Sequence, residues 1–264
     1  MGLGAGATPC GCPLYPGCSK LGAIRMLIPA TRVRTPELMD QPELDRREHH
    51  HALTSLGRAN IISRTISVVW PAIHRVARSM GDGPLRILDL ACGGGHVAVG
   101  LARRLARAGI AADILGCDMS PVALDYARTL AERARVKQVR FVQLDVVRDP
   151  WPAGFDVVHC SLFLHHLADD DAIATLRRMT EAARQLVVVS DLRRTDLGYL
   201  FAWVGCRMLS RSRVFHVDGT RSVEAAFTTG EARTLAEQAG LHGAEIRECW
   251  PQRFLLTWTR NAER

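Results

Sequence analysis

An α/β fold built on a doubly wound, largely parallel sheet is what this 264-residue sequence predicts, on three observations. Between residues 84 and 192, apolar strand-like runs alternate with helical runs, the pattern of successive βα units. The first strand feeds a turn of three consecutive glycines, Gly93-Gly94-Gly95. Three successive strands run into an aspartate, at Asp89, Asp118 and Asp145. That places the carboxylates on one rim of the sheet, where ligands of such sheets sit.

The elements follow in order. Leu53, Leu56, Ile61, Ile62, Ile66, Val69, Val76 and Met80 recur at helical spacing, so residues 36–80 read as helices. The run Glu48-His49-His50-His51 reads as a solvated helix start, because consecutive helical positions point in different directions and cannot share one ion. Leu85, Ile87, Leu88 and Leu90 form the first strand, and a helix runs from His96 to about Arg107. A glycine turn between the two lets a ligand approach the backbone, since no Cβ intervenes. Asp113 to Asp118 is the second strand; Ser120 caps the next helix and Pro121 opens it, with the helix ending near Arg135. Val139 to Leu144 is the third strand, Phe155 to Ser161 the fourth and Arg184 to Leu192 the fifth. Thr229 is the expected N-cap of a helix closed by Gly240, and 244–249 and 254–259 alternate as two late strands.

Two ligands compete for the glycine turn. Gly93-x-Gly95-x-x-Ala98 fits the dinucleotide fingerprint. Asp89-x-Ala91-x-Gly93-x-Gly95 resembles motif I of the class I S-adenosylmethionine-dependent methyltransferases. A pyrophosphate wants no anion beside it, whereas an ammonium and a sulfonium do, and Asp89 supplies one. Asp118, 23 residues after Gly95, stands near the position of a ribose-binding carboxylate. The resemblance covers residues 83–192 firmly and 229–260 loosely. It implies a Rossmann-like doubly wound sheet of seven strands, order 3-2-1-4-5-7-6, with N-terminal helices and a helical lid at 195–228. It implies S-adenosylmethionine as cofactor, held by Asp89, Ala91, Cys92, Gly93, Gly94, Gly95, Asp118, Met119, Asp145, Val146 and Ser161, with Asp145 at the adenine amino group. Ala91 departs from the family, where glycine is common. The expected organisation is a disordered segment 1–34, a helical cap 35–82 and a methyltransferase domain 83–264.

The acceptor is less legible. Methyltransferases of exocyclic base amines usually carry an Asn/Asp-Pro-Pro-aromatic tetrapeptide after the fourth strand; here stands Leu164-His165-His166-Leu167, which resembles the small-molecule methyltransferases of ubiquinone and menaquinone biosynthesis. His165 and His166 are candidate bases for a phenol, or one caps the following helix. Asp191 is a candidate for orienting an acceptor hydroxyl, or it pairs with Arg193 or Arg194. The insertion carries an apolar face (Leu197, Leu200, Phe201, Val204, Met208, Leu209) beside Tyr199 and Trp203, then arginines, then His216 with Asp218 as another candidate base. Such a lid suits a hydrophobic or aromatic small-molecule acceptor. The expected chemistry is in-line displacement at the methyl by an acceptor oxygen or activated carbon, with no metal implied. A nicotinamide oxidoreductase would need a residue set such as Tyr-x-x-x-Lys, which is missing. An RNA or protein methyltransferase would show salt-dependent macromolecular binding. A non-catalytic relative would bind cofactor and use no acceptor.

Net charge is +7, but all basic residues except Lys20 and Lys137 are arginines, and no dense basic cluster interleaves with aromatics, so nucleic acid is not the expected partner. No apolar run is long enough to span a membrane. The eight cysteines form no zinc spacing or disulfide framework and read as free thiols of a reducing cytoplasm, Cys10, Cys12 and Cys18 in the N-terminal segment included. That segment lacks the pattern of a signal peptide, and Met26 or Val33 is read as nearer the true start.

Overall fold

A computed structural model describes residues 28–260 apart from Pro42 and Asp82. Of the expected disordered segment, residues 1–27 lie outside the described residues, as do Cys10, Cys12 and Cys18. Within 28–34, Ile28 and Arg32 are anchored while the residues between and after them are exposed. Ile28 is buried and its N–H donates to Asp196 Oδ1 at 3.0 Å. Arg32 donates to the carbonyls of Ala225, His165 and Leu167, pairs with Asp169 at 2.7 Å and lies 3.6 Å over the Phe227 ring. Arg32→Ala orphans these acceptors and is expected to lower stability by about 2–4 kcal/mol, read as the urea midpoint. A chain started at Val33 should lose the same increment.

The strap then runs without helix to Asp45, correcting the expectation that helix begins near 36. Pro36 has no backbone N–H to donate, and Asp45 caps α1 (Arg46–Ile62) by accepting from the N–H groups of Arg47 and Glu48. Arg64, at φ 52°, turns the chain into α2 (Thr65–Ser79). The histidine run is solvated only in part: Glu48 and His51 are exposed, while His49 is buried and His50 meets the Tyr126 ring edge-on at 5.5 Å.

The sheet contains β1 (Leu85–Leu90), β2 (Ala112–Asp118), β3 (Val139–Gln143), β4 (Phe155–Ser161), β5 (Ala183–Leu192), β6 (Glu245–Cys249) and β7 (Arg253–Thr259), ordered β3-β2-β1-β4-β5-β7-β6. β1 pairs in parallel with β2 and β4, and β7 runs antiparallel between β5 and β6. The central strands are apolar on both faces because helices cover both. α3 (His96–Arg107) and α2 pack on one face, with Val69, Ile73, Leu101 and Leu105 fully enclosed. α5 (Asp169–Ala182) and α8 (Thr229–Gln238) pack on the other through Leu176, Met179 and Leu235. α4 (Pro121–Arg133) is capped by Ser120, whose Oγ accepts from Ala123 N, as the sequence implies. The α8 cap falls one residue earlier than expected: Thr228, not Thr229, forms a capping box with Glu231. The insertion folds as α6 (Asp196–Leu209) and α7 (Arg213–Ala225), which close over the carboxyl rim with α1.

Candidate functional site

The carboxyl ends of the parallel strands, the strap, α1, α6 and α7 enclose one cavity of about 1120 Å³. Single small-molecule sites are roughly 300–1,000 Å³, so there is room for two ligands side by side. The glycine turn forms one wall. Gly93 (φ 51°) and Gly95 (φ 71°) are left-handed, and a Cβ on Gly95 would stand 2.8 Å from Ala127 Cβ and 2.9 Å from the Phe141 ring. Ala91 is also left-handed, at φ 49°. Its alanine therefore carries strain of about 1–2 kcal/mol that glycine would not, and Ala91→Gly is expected to raise the melting temperature slightly, offset in part by unfolded-state entropy.

Three aspartates stand where the sequence puts them, each in a different state. Asp89 is buried; its Oδ1 lies 2.7 Å from His159 Nδ1, while Oδ2 is enclosed and has no partner among the described residues. That oxygen is available to accept from a donor placed in the cavity. Asp118 ends β2 with Oδ2 accepting from Gly93 N at 2.8 Å and Oδ1 from Ser120 N at 2.9 Å. Burial pushes its carboxyl up, and those two N–H groups pull it back. Asp145 serves a turn, its Oδ1 accepting from Val147 N and Arg148 N, and it also lines the cavity. Ala91, Cys92, Gly93, Gly94, Met119, Val146 and Ser161 line the same cavity, and Ser161 Oγ is another enclosed polar atom without a partner among the described residues. Gly95 shapes the turn from behind the wall.

His165 lines the same cavity as the glycine turn and sits between two carboxylates, Asp191 and Glu37. Its Nδ1 is 2.7 Å from Asp191 Oδ1, its backbone N–H donates to Asp191 Oδ2, and its Nε2 is 3.6 Å from Glu37 Oε1. Asp191 thus binds His165 instead of Arg193 or Arg194, which pair with Glu248 and Glu231. Burial alone would lower the His165 pKa, but Asp191 and then Glu37 override it and raise it to about 10. Burial works against Glu37 as well, yet His165 and His166 hold its carboxyl down at about 2. His165 is therefore an imidazolium at neutral pH. Its folded pKa is raised, so its contribution to stability is full below its ordinary value near 6.5 and is lost as pH rises through about 10. The wild-type melting temperature should fall across that alkaline range, and His165→Gln should lack this component of the slope.

His166 is half-buried, with Nδ1 3.4 Å from Asp40 Oδ2 and Nε2 3.9 Å from Glu37 Oε1. Ligand atoms of Glu37, His165 and His166 lie within 4.8 Å of one another. A cation there would have to displace the His165 proton first. Arg253, buried and donating to Thr65 Oγ1 at 2.7 Å, adds a positive charge to this end of the cavity. Burial draws its pKa down to about 10, and Asp191 resists.

His216 does not join the site, which corrects its candidacy as a base. Its Nε2 is 2.7 Å from the Ser210 carbonyl, while Asp218 accepts from Leu38 N and Met39 N. The two residues are neighbours in sequence, but on α7 they point apart. Burial pushes Asp218 up to about 6. Glu37 and Arg253 belong to the site and were absent from the sequence-based set; nothing local marks either, because one lies in an irregular strap and the other in a strand.

Residues 87–185 match a family model described as a methyltransferase domain. A ubiquinone biosynthesis O-methyltransferase of Acinetobacter baumannii (strain AYE) is 30% identical over 172 residues, covering 62% of this chain and 70% of that protein. One from Alkalilimnicola ehrlichii is 36% identical over 126 residues, 47% of this chain and 48% of the relative. Among solved structures, the plantazolicin methyltransferase BpumL superposes with a TM-score of 0.60 at 16% identity, over 82% of this chain and 91% of that one. Magnesium protoporphyrin IX methyltransferase from Synechocystis gives 0.53 at 17% identity, over 78% and 84%. These structural likenesses are likenesses of fold.

Proposed function

The chain belongs to the class I S-adenosylmethionine-dependent methyltransferases, and from that premise we propose that it methylates an oxygen, or an activated carbon, of a small aromatic acceptor held against His165. Methyl transfer to a small molecule follows from the family and its O-methyltransferase relatives. The observation that carries the acceptor class is the Asp191–His165 pair at 2.7 Å, facing the cavity that the glycine turn also walls.

The residues present fit the cofactor. The unpartnered Oδ2 of Asp89 suits the ammonium, Asp118 the ribose hydroxyls, and Asp145 with Val146 the adenine edge. When bound, the cofactor supplies an electrophilic methyl on a positively charged sulfur. The protein's own part is alignment and charge. Asp191 fixes the His165 ring, and the imidazolium then stabilises a phenolate or enolate oxygen in a water-poor site. Glu37 Oε1 lies 3.6 Å from Nε2, so an acceptor oxygen reaches the imidazolium by displacing that carboxylate. The apolar wall of Leu53, Leu56, Phe201 and Leu209 receives the rest of an aromatic body.

The organisation proposed is a cap of the strap and α1–α2, a methyltransferase domain from residue 83, and a lid of α6–α7 within 195–228. No metal is assigned a role, so a chelator should leave turnover unchanged. The discriminating experiment is the pH profile of kcat/KM with a phenolic acceptor. The imidazolium lowers the acceptor's apparent pKa, so His165→Gln should shift the rising limb to higher pH. An unshifted limb with an unchanged rate removes His165 from the mechanism.

A further inference from the structure

Apolar surface is concentrated at the cavity mouth. On α6, Phe201, Gly205 and Leu209 face the cavity, while the other side of the helix is turned outward: Leu197, Leu200, Trp203 (46% exposed) and Met208 (80%). Ile61 (77%) and Ile62 at the end of α1, and Trp250 (64%) in the β6–β7 turn, continue the patch. Its parts adjoin: Arg58 of α1 donates to the Leu209 carbonyl at 3.1 Å, and the Phe201 and Trp250 rings meet at 5.5 Å. Ile62, Val204 and Trp250 are both exposed and cavity-lining, so this surface is the rim of the mouth. Solvent-exposed apolar side chains on one contiguous face mark an interaction site.

The exposed charges of α1 and α6–α7 on this face are arginines, and Glu248, the acidic neighbour of the Trp250 turn, is paired with Arg193 at 2.7 Å. Arg58, Arg64, Arg207, Arg211 and Arg213 are exposed, Arg207 lying 4.3 Å over the Trp203 ring, and no Asp or Glu occurs at residues 53–64 or 197–217. An isologous contact with a second copy would set these arginines against themselves. It would also cover the entrance. Trp and aliphatic side chains beside arginines match the interfacial zone of an anionic bilayer, where the rings sit at headgroup level and the guanidinium groups meet phosphates.

We propose that α6, the end of α1 and the Trp250 turn dock on an anionic lipid surface and open the cavity to it, so that the acceptor is a bilayer-partitioned aromatic entering from the membrane. This rests on the small-aromatic-acceptor reading above and extends it. The test is co-sedimentation of the full chain with phosphatidylcholine vesicles, with and without phosphatidylglycerol. The variants are Leu200→Glu/Trp203→Ser/Met208→Gln and Arg207→Gln/Arg211→Gln/Arg213→Gln. S-adenosylhomocysteine affinity and turnover of a water-soluble phenol are followed in parallel, and sedimentation velocity reports self-association. The wild type should partition onto the anionic vesicles at least roughly tenfold more strongly than onto neutral ones. Each triple variant should lose that partitioning while keeping cofactor binding and soluble turnover. A wild type that stays in the supernatant with both vesicles overturns the proposal, whether or not soluble phenol is methylated. A concentration-dependent dimer abolished by the same variants, with no vesicle binding, reassigns the face to a second copy. Loss of soluble turnover in the wild type itself would strike the acceptor reading, and vesicle binding would still be scored separately.

Discussion

Asp118→Ala is expected to weaken S-adenosylhomocysteine binding roughly 100-fold, about 3 kcal/mol, with the protein still folded. The carboxylate sits at the end of β2 with each oxygen already accepting one backbone N–H, from Gly93 and from Ser120. Those bonds fix its orientation and leave a lone pair on each oxygen for the ribose hydroxyls. Alanine removes the ligand contacts and also frees Gly93 N, so the glycine turn loses its tether. Asp118→Asn keeps one acceptor oxygen and should fall between the two. Titration calorimetry reads the constants, and circular dichroism confirms the fold. An Asp118→Ala protein that binds as tightly as wild type would detach this residue from the cofactor site.

The second large effect falls on turnover and spares binding. His165→Gln is expected to lower kcat roughly a hundredfold to ten-thousandfold with little change in S-adenosylhomocysteine affinity. The ring lines the same cavity as Asp118, and glutamine retains an N–H donor for Asp191 while removing the positive charge. Asp191→Asn has the same direction, and like His165→Gln it carries the structural cost of breaking a buried ion pair. It strips a buried imidazolium of its closest partner, and breaking such a pair costs about 3–5 kcal/mol, so its melting temperature must be read with its rate. Equal losses of binding and rate in His165→Gln would mean that the residue supports the cavity as a whole.

What could be read from the sequence is what chain neighbours determine. The Gly93–Gly95 turn, the Ser120-Pro121 helix start and the strand-end aspartates each rest on residues a few positions apart. Family resemblance then supplied the strand order. Errors came where a local pattern has two readings. Thr228 and Thr229 both suit a cap, and only the spacing Thr228-x-x-Glu231 completes the reciprocal box. His216 and Asp218 are close in sequence, yet two residues along a helix turn side chains apart. The α6 apolar residues were read as one face; the helix in fact divides them between cavity and solvent, which periodicity alone does not distinguish. Glu37 was out of reach because its partners, His165 and His166, are joined to it only by tertiary contact. The same holds for Arg32, whose anchor points lie on the loop after β4 and on α7.

The most direct test of the central claim is transfer of an isotopically labelled methyl group from S-adenosylmethionine by wild type and His165→Gln, offered phenols, small amines and RNA in parallel. The account predicts label in the phenol, at oxygen or ring carbon, with the rate falling steeply in the variant. Label in amine or RNA alone, or phenol methylation indifferent to His165, would contradict it.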